Sequence, residues 1–76
     1  GSRDSDLFVG RLPEQIRRHR RARGWAQVEL AAECGVQRNT LARWECGTYL
    51  PSVARLCRLA EVLGVTIDTL LYGEPL

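Results

Sequence analysis

Five glycines, Gly24, Gly35, Gly47, Gly64 and Gly73, each follow a run with helical periodicity. Glycine just past a helix end takes the conformation that closes it, so the spacing predicts five short helices. The first runs from about Pro13 to Arg23, with proline suited to a first turn and Glu14 facing the positive end of the dipole. Its apolar line is Leu12, Ile16 and His19, at i, i+4 and i+7. The second spans about Gln27 to Cys34, with Leu30, Ala31 and Cys34 toward the core and Val28 flanking it. The third covers about Gln37 to Cys46. The fourth follows Pro51, with Ser52 as its N-cap, and its stripe of Val53, Leu56, Leu59, Ala60 and Leu63 has a 3.6 period. Thr66 caps a fifth helix carrying Ile67, Leu70 and Leu71. No segment alternates apolar and polar residues long enough to make a strand. The pattern predicts an all-α compact five-helix bundle, and 76 residues supply only one core.

Gly1 and Ser2 read as a scar from expression. Residues 3 to 10, "RDSDLFVG", form an N-terminal arm in which Leu7, Phe8 and Val9 are candidates to dock on the bundle. The domain proper is residues 11–76.

A net charge of +2 does not by itself point to nucleic acid. The kind of charge says more: all 11 basic residues are arginine, and six of them (Arg11, Arg17, Arg18, Arg20, Arg21 and Arg23) are opposed locally by Glu14 alone. Arginine offers a planar fork suited to phosphates and to guanine edges. A solvated helix face in an arginine-biased coding background accounts for the run equally well. Three cysteines without a close pair argue against a disulfide framework and fit a reducing compartment. Cys34, Cys46, Cys57 and His19 total four zinc-type ligands, but the cysteines stand 12 and 11 residues apart, not in the close pairs zinc sites use. Cys34 and Cys57 fall on apolar helical faces, where cysteine acts as a small hydrophobe. No metal, cofactor or small-molecule ligand is expected. A single histidine, no phosphate-cradling loop and no local nucleophile–base pair make an enzyme a poor reading. No stretch approaches the roughly 18 apolar residues that span a bilayer, and no secretory signal is visible, so a cytoplasmic protein is expected.

The segment from Gln27 to Trp44 carries the most specific pattern. Counting Gln27 as one, apolar residues stand at the fourth (Leu30), eighth (Cys34), tenth (Val36), fifteenth (Leu41) and eighteenth (Trp44), with Ala31 fifth and Gly35 ninth. Alanine lets two helices approach closely where they cross. Glycine turns the chain between them at a positive φ that other residues resist. This is the arrangement of a helix-turn-helix, whose second helix lies in the DNA major groove.

On "IRRHRRARGWAQVELAAECGV", "RNTLARWECG" and "LPSVARLCRLAEVLGVTIDTLL" the chain resembles the phage-repressor/Cro-like (XRE) helix-turn-helix proteins of bacteria and phage. The likeness runs from about Leu12 to Leu71. It implies a lambda-repressor-like DNA-binding domain, commonly dimeric, that regulates transcription as a repressor or activator. Gln27 would then bond a DNA phosphate, and Gln37, Arg38, Asn39 and Arg43 would face the base edges. Arg17, at the opening of helix one, and Thr48 and Tyr49, in the loop after helix three, would lie near the backbone. Arg20 and Glu45 would form an internal ion pair between helices one and three. Two departures stand out: Ala26 and Gln37 occupy N-cap positions usually held by Ser or Thr, and His19 stands where Leu is usual. Tyr72, Pro75 and Leu76 leave apolar groups past the core stripe, and a homodimer through this C-terminal segment is expected on a two-fold symmetric operator. The alternative is a protein-interaction or antitoxin-type module on the same fold. Arg38, Asn39 and Arg43 argue against it, since they are natural bidentate base readers.

Overall fold

A computed structural model of the chain describes the backbone of residues 2–73 and the side chains of residues 11–73. Along it run α1 (Ser2–Ala22), α2 (Gln27–Cys34), α3 (Arg38–Cys46), α4 (Val53–Leu63) and α5 (Ile67–Tyr72), with no strand among the described residues. The glycines end the helices as their positions suggest: Gly24, Gly35, Gly47 and Gly64 have φ between 71° and 80°. At Gly35 an added Cβ would meet nothing within 4 Å, so the left-handed backbone alone selects glycine there. The amides of Gly35 and Val36 turn back to the carbonyls of Ala32 and Ala31, at 3.1 and 3.0 Å, closing α2.

The helix starts follow their capping chemistry. Ser52 Oγ accepts from the Arg55 amide at 3.3 Å, and Thr66 Oγ1 accepts from the Thr69 amide at 3.0 Å. Ala26 and Gln37 occupy N-cap geometry without a side-chain cap. At α2 the Glu29 carboxylate supplies half of a capping box, accepting from the Ala26 amide at 2.7 Å.

α1 begins eleven residues before the start that Pro13 suggests: its backbone is helical from Ser2, with Pro13 inside it. Proline lacks the N–H of an interior turn and its ring crowds the carbonyl four residues back, yet the helical backbone continues through Pro13 to Ser2, so here it does not mark where the helix begins. The expected docking of Leu7, Phe8 and Val9, and the placing of Pro75 and Leu76, lie outside the described side chains.

The core is one cluster: Leu12 and Ile16 from α1, Leu30, Ala31 and Cys34 from α2, Leu41 and Trp44 from α3, Leu59, Ala60 and Leu63 from α4, and Leu70 from α5. Val36, Leu56, Ile67 and Leu71 pack on its margin. α1 lies against α5, α3 and α4, while α2 lies against α3 and α4. Three apolar assignments need correction. Val28 is 57% exposed, because it stands about 200° around α2 from Leu30 and faces away from the core. Val53, 77% exposed, keeps the phase of the α4 stripe but lies in the first turn, before the core begins. Cys57 is exposed, being two residues, again about 200°, from Leu59.

Three arginines of the run form a clasp, Arg11 and Arg17 within α1 and Arg23 just past its end. Arg11 donates to the Tyr72 carbonyl of α5 at 3.2 Å, Arg17 to the Glu45 carbonyl of α3 at 2.7 Å, and Arg23 to the Leu63 carbonyl of α4 at 3.0 Å. Each meets the last turn of another helix, where carbonyls lack partners and the dipole favours a cation. Charge that reads as a surface stripe thus ties three helix ends to α1 and the turn that follows it.

Candidate nucleic-acid interface

α3 has two faces of opposite character. Leu41, Trp44 and Glu45 are buried, which fixes the rotation of the helix. Gln37, Arg38, Asn39 and Arg43 are exposed on the remaining surface. Gln37, although an N-cap, spends no side-chain hydrogen bond on the helix. Arg43 lies over the ring of Tyr49, 5.4 Å from its centroid, a cation–π contact that joins α3 to the following loop.

Beneath α3 the structure brings Arg20 and Glu45 together. Glu45, 2% exposed, receives Arg20 Nε on Oε2 at 2.7 Å and Arg20 Nη2 on Oε1 at 3.0 Å. Arg20 Nη1 donates to the Trp25 carbonyl at 2.8 Å, so all three guanidinium nitrogens are engaged. The hydrogen bond that Arg20 donates to Glu45 pushes the Arg20 pKa up, with burial opposing it and the Glu45 charge adding to it.

The sequence gives no hint of what joins this pair to the surface. Gln27 Nε2 donates to Glu45 Oε1 at 3.1 Å, and Gln27 Oε1 accepts from Arg38 Nη1 at 3.1 Å. Arg38 Nη2 in turn donates to Asn39 Oδ1 at 3.0 Å. A chain of side chains therefore runs from the buried ion pair, through the start of α2, to two exposed residues of α3. Gln27 and Glu45 lie 18 residues apart, one on α2 and the other on α3, so only the packing of the two helices brings them together.

The remaining candidates sit less simply. Arg17 gives Nη1 to the Glu45 carbonyl, and with Glu14, Arg18 and Arg21 it lines a hollow of about 470 Å³ on α1. The Thr48 and Tyr49 amides turn inward to the Arg43 carbonyl at 3.0 and 3.4 Å, leaving their hydroxyls as the groups able to face outward. Cys34 is buried, and burial, the first cause, pushes its thiol pKa up. Cys46 and Cys57 are exposed, and no group of three or more metal-ligating side chains gathers among the described residues.

A helix-turn-helix family model matches residues 16–70. The chain is 33% identical over 63 residues to the HTH-type transcriptional activator BcrR of Enterococcus faecalis, covering 83% of this chain and 31% of that protein. It is 32% identical over 60 residues to the SPbeta prophage-derived HTH-type transcriptional regulator YonR of Bacillus subtilis, covering 79% of this chain and 56% of that one. It thus spans about a third and about half of these two relatives. Its fold is similar to that of the P22 c2 repressor protein in complex with a synthetic operator, with a TM-score of 0.79 and 28% identity, covering 83% of this chain and 96% of the other.

Proposed function

The chain belongs to the helix-turn-helix family, whose members are transcription regulators and not enzymes, and from that premise we propose that it binds double-stranded DNA in the bacterial cytoplasm as a repressor-like transcriptional regulator. The observation that carries this reading is the division of α3. Its buried face is locked by Leu41, Trp44 and an ion-paired Glu45, while Gln37, Arg38, Asn39 and Arg43 stand clear on the other. A helix held this way presents polar forks at a fixed angle, as reading of major-groove edges requires. An adaptor surface would instead expose apolar side chains there.

In this reading Gln37, Arg38, Asn39 and Arg43 meet base edges. Gln27, at the start of α2, meets a phosphate with its second Nε2 hydrogen, and the hydroxyls of Thr48 and Tyr49 meet the backbone beyond α3. Arg17 contributes through the nitrogens left after its bond to α3. Two copies bind a two-fold symmetric operator and meet near the C-terminal segment, where Tyr72 is 57% exposed.

Selection of bound sequences from a random duplex library tests this directly. The expected result is a two-fold symmetric motif with half-sites one helical turn, about 34–36 Å, apart. A library that returns without enrichment would overturn the DNA reading. Sedimentation showing one chain on the selected palindrome would remove the dimer alone.

A further inference from the structure

We propose that α3 selects guanine through Arg38, and that Asn39 is a positioning residue for that guanidinium instead of a reader of adenine. The proposal rests on the DNA-binding reading above. Its basis is the polarity of the side-chain relay. A guanidinium has donors only, so the Asn39 atom 3.0 Å from Arg38 Nη2 must be Oδ1 and the Gln27 atom 3.1 Å from Arg38 Nη1 must be Oε1. The other end of Gln27 faces Glu45 Oε1 at 3.1 Å. An ionised carboxylate only accepts, so that end must be Nε2. Both amides are oriented by chemistry, starting from a carboxylate that is itself clamped by Arg20.

The orientation decides what each residue offers a base. Asparagine reads adenine by accepting from N6 with its oxygen while donating to N7 with its nitrogen. The oxygen of Asn39 already spends one of its two lone pairs on Arg38, so an adenine N6–H would have to share that oxygen with a cationic donor, which weakens the paired contact. The Nδ2 hydrogens that remain suit any base edge bearing an acceptor, in guanine, adenine or thymine alike, and so discriminate weakly. Arg38 is in the opposite position. After its two bonds each terminal nitrogen keeps one hydrogen, and Nε keeps its own. That is enough for the paired contact to O6 and N7 of guanine. Both tethering acceptors are neutral amides, so the guanidinium keeps its full charge, and a fork already held at two points loses less freedom on meeting the base.

The test selects duplexes from a random library with the 76-residue chain and with R38A, N39A, N39D and Q27A, then titrates single-base variants of the wild-type motif. Melting curves check that each variant folds. Wild type is expected to require guanine at one position of each half-site, and R38A to lose that requirement. N39A and Q27A should each weaken preference for that same guanine by about fivefold or more, at the low end of what one bidentate base contact supplies. N39D should keep the preference, since a carboxylate still accepts from Arg38, even where its charge lowers overall affinity. The proposal is overturned if wild type enriches an adenine that both Asn39 variants lose while the guanine stays untouched. Specific binding without an Arg38-dependent guanine overturns it equally. Absence of any enriched sequence refutes the DNA reading itself, a distinct outcome.

Discussion

A carboxylate as enclosed as Glu45 has to be met by donors or be neutralised, and it receives two bonds from Arg20 and one from Gln27. Removing Arg20 leaves that charge with a single neutral donor, a change that costs about 3–5 kcal/mol when the pair is buried. Arg20→Ala should therefore lower the melting temperature by more than about 10 °C, at about 4–8 °C per kcal/mol for a domain this small. Arg55→Ala, at an exposed position, should stay within about 0.5 kcal/mol of the parent. Equal melting temperatures would show that the pair contributes nothing net. The cysteines give a second test at this scale. Cys34 is buried with its thiol pushed up, whereas Cys46 and Cys57 are exposed. Alkylation of the native chain at pH 7 should label Cys46 and Cys57 quickly and Cys34 only after unfolding, as peptide mass mapping would show. A raised folded-state thiol favours the neutral form, so its contribution to stability is complete below the ordinary thiol range and fades as pH rises through the folded value. Cys34→Ala should flatten that alkaline decline in urea midpoints, and an unchanged slope would place its origin elsewhere.

The helix ends show which parts of the fold were legible and which were not. Ser52, Thr66 and the glycines act within three or four residues of themselves, so their roles could be read along the chain. The clasp of α1 could not, because Arg11, Arg17 and Arg23 meet carbonyls 61, 28 and 40 residues away. Nor could the start of α1, because proline favours a first turn over a helix interior and Pro13 nevertheless stands inside the helix. Two substitutions test the local readings. Ala26 already has N-cap dihedrals, φ −76° and ψ 165°, and Glu29 already returns its half of the box. Ala26→Ser should complete it and stabilise the chain by about 1 kcal/mol, a rise of several degrees in a thermal melt. No rise would mean that the first turn of α2 is satisfied without a side-chain cap. Gly35→Ala should destabilise by about 1–2 kcal/mol through its positive φ alone, since the added methyl group meets open space. A variant as stable as the parent would show that this turn tolerates a different backbone.

At the scale of the molecule, the candidate site was legible as a set of residue types but not as a mechanism. The exposure of Gln37, Arg38, Asn39 and Arg43 follows from the helical phase set by Leu41 and Trp44. The relay through Gln27 depends on how α1, α2 and α3 pack, which no local pattern contains. The same packing changes what the arginine content means for binding. Were all 11 arginines to displace counterions, the slope of log K against log salt would approach about −10 for each chain bound, at about −0.9 per phosphate neutralised. Arg11, Arg17 and Arg23 are bonded to helix carbonyls, Arg20 to Glu45, and Arg58 to Glu61 at 2.7 Å. If all of these but Arg17, which keeps nitrogens for phosphate, stay engaged, at most seven remain for phosphate or base, and the slope per chain should be no steeper than about −6. Fluorescence anisotropy between 50 and 200 mM salt on a selected duplex would measure it. Arg23→Ala should leave that slope unchanged while lowering the melting temperature, because its guanidinium closes α4 instead of meeting DNA. A slope near −10, or one that shrinks by about one unit in Arg23→Ala, would mean that the clasp opens on DNA and that these arginines exchange helix carbonyls for phosphates.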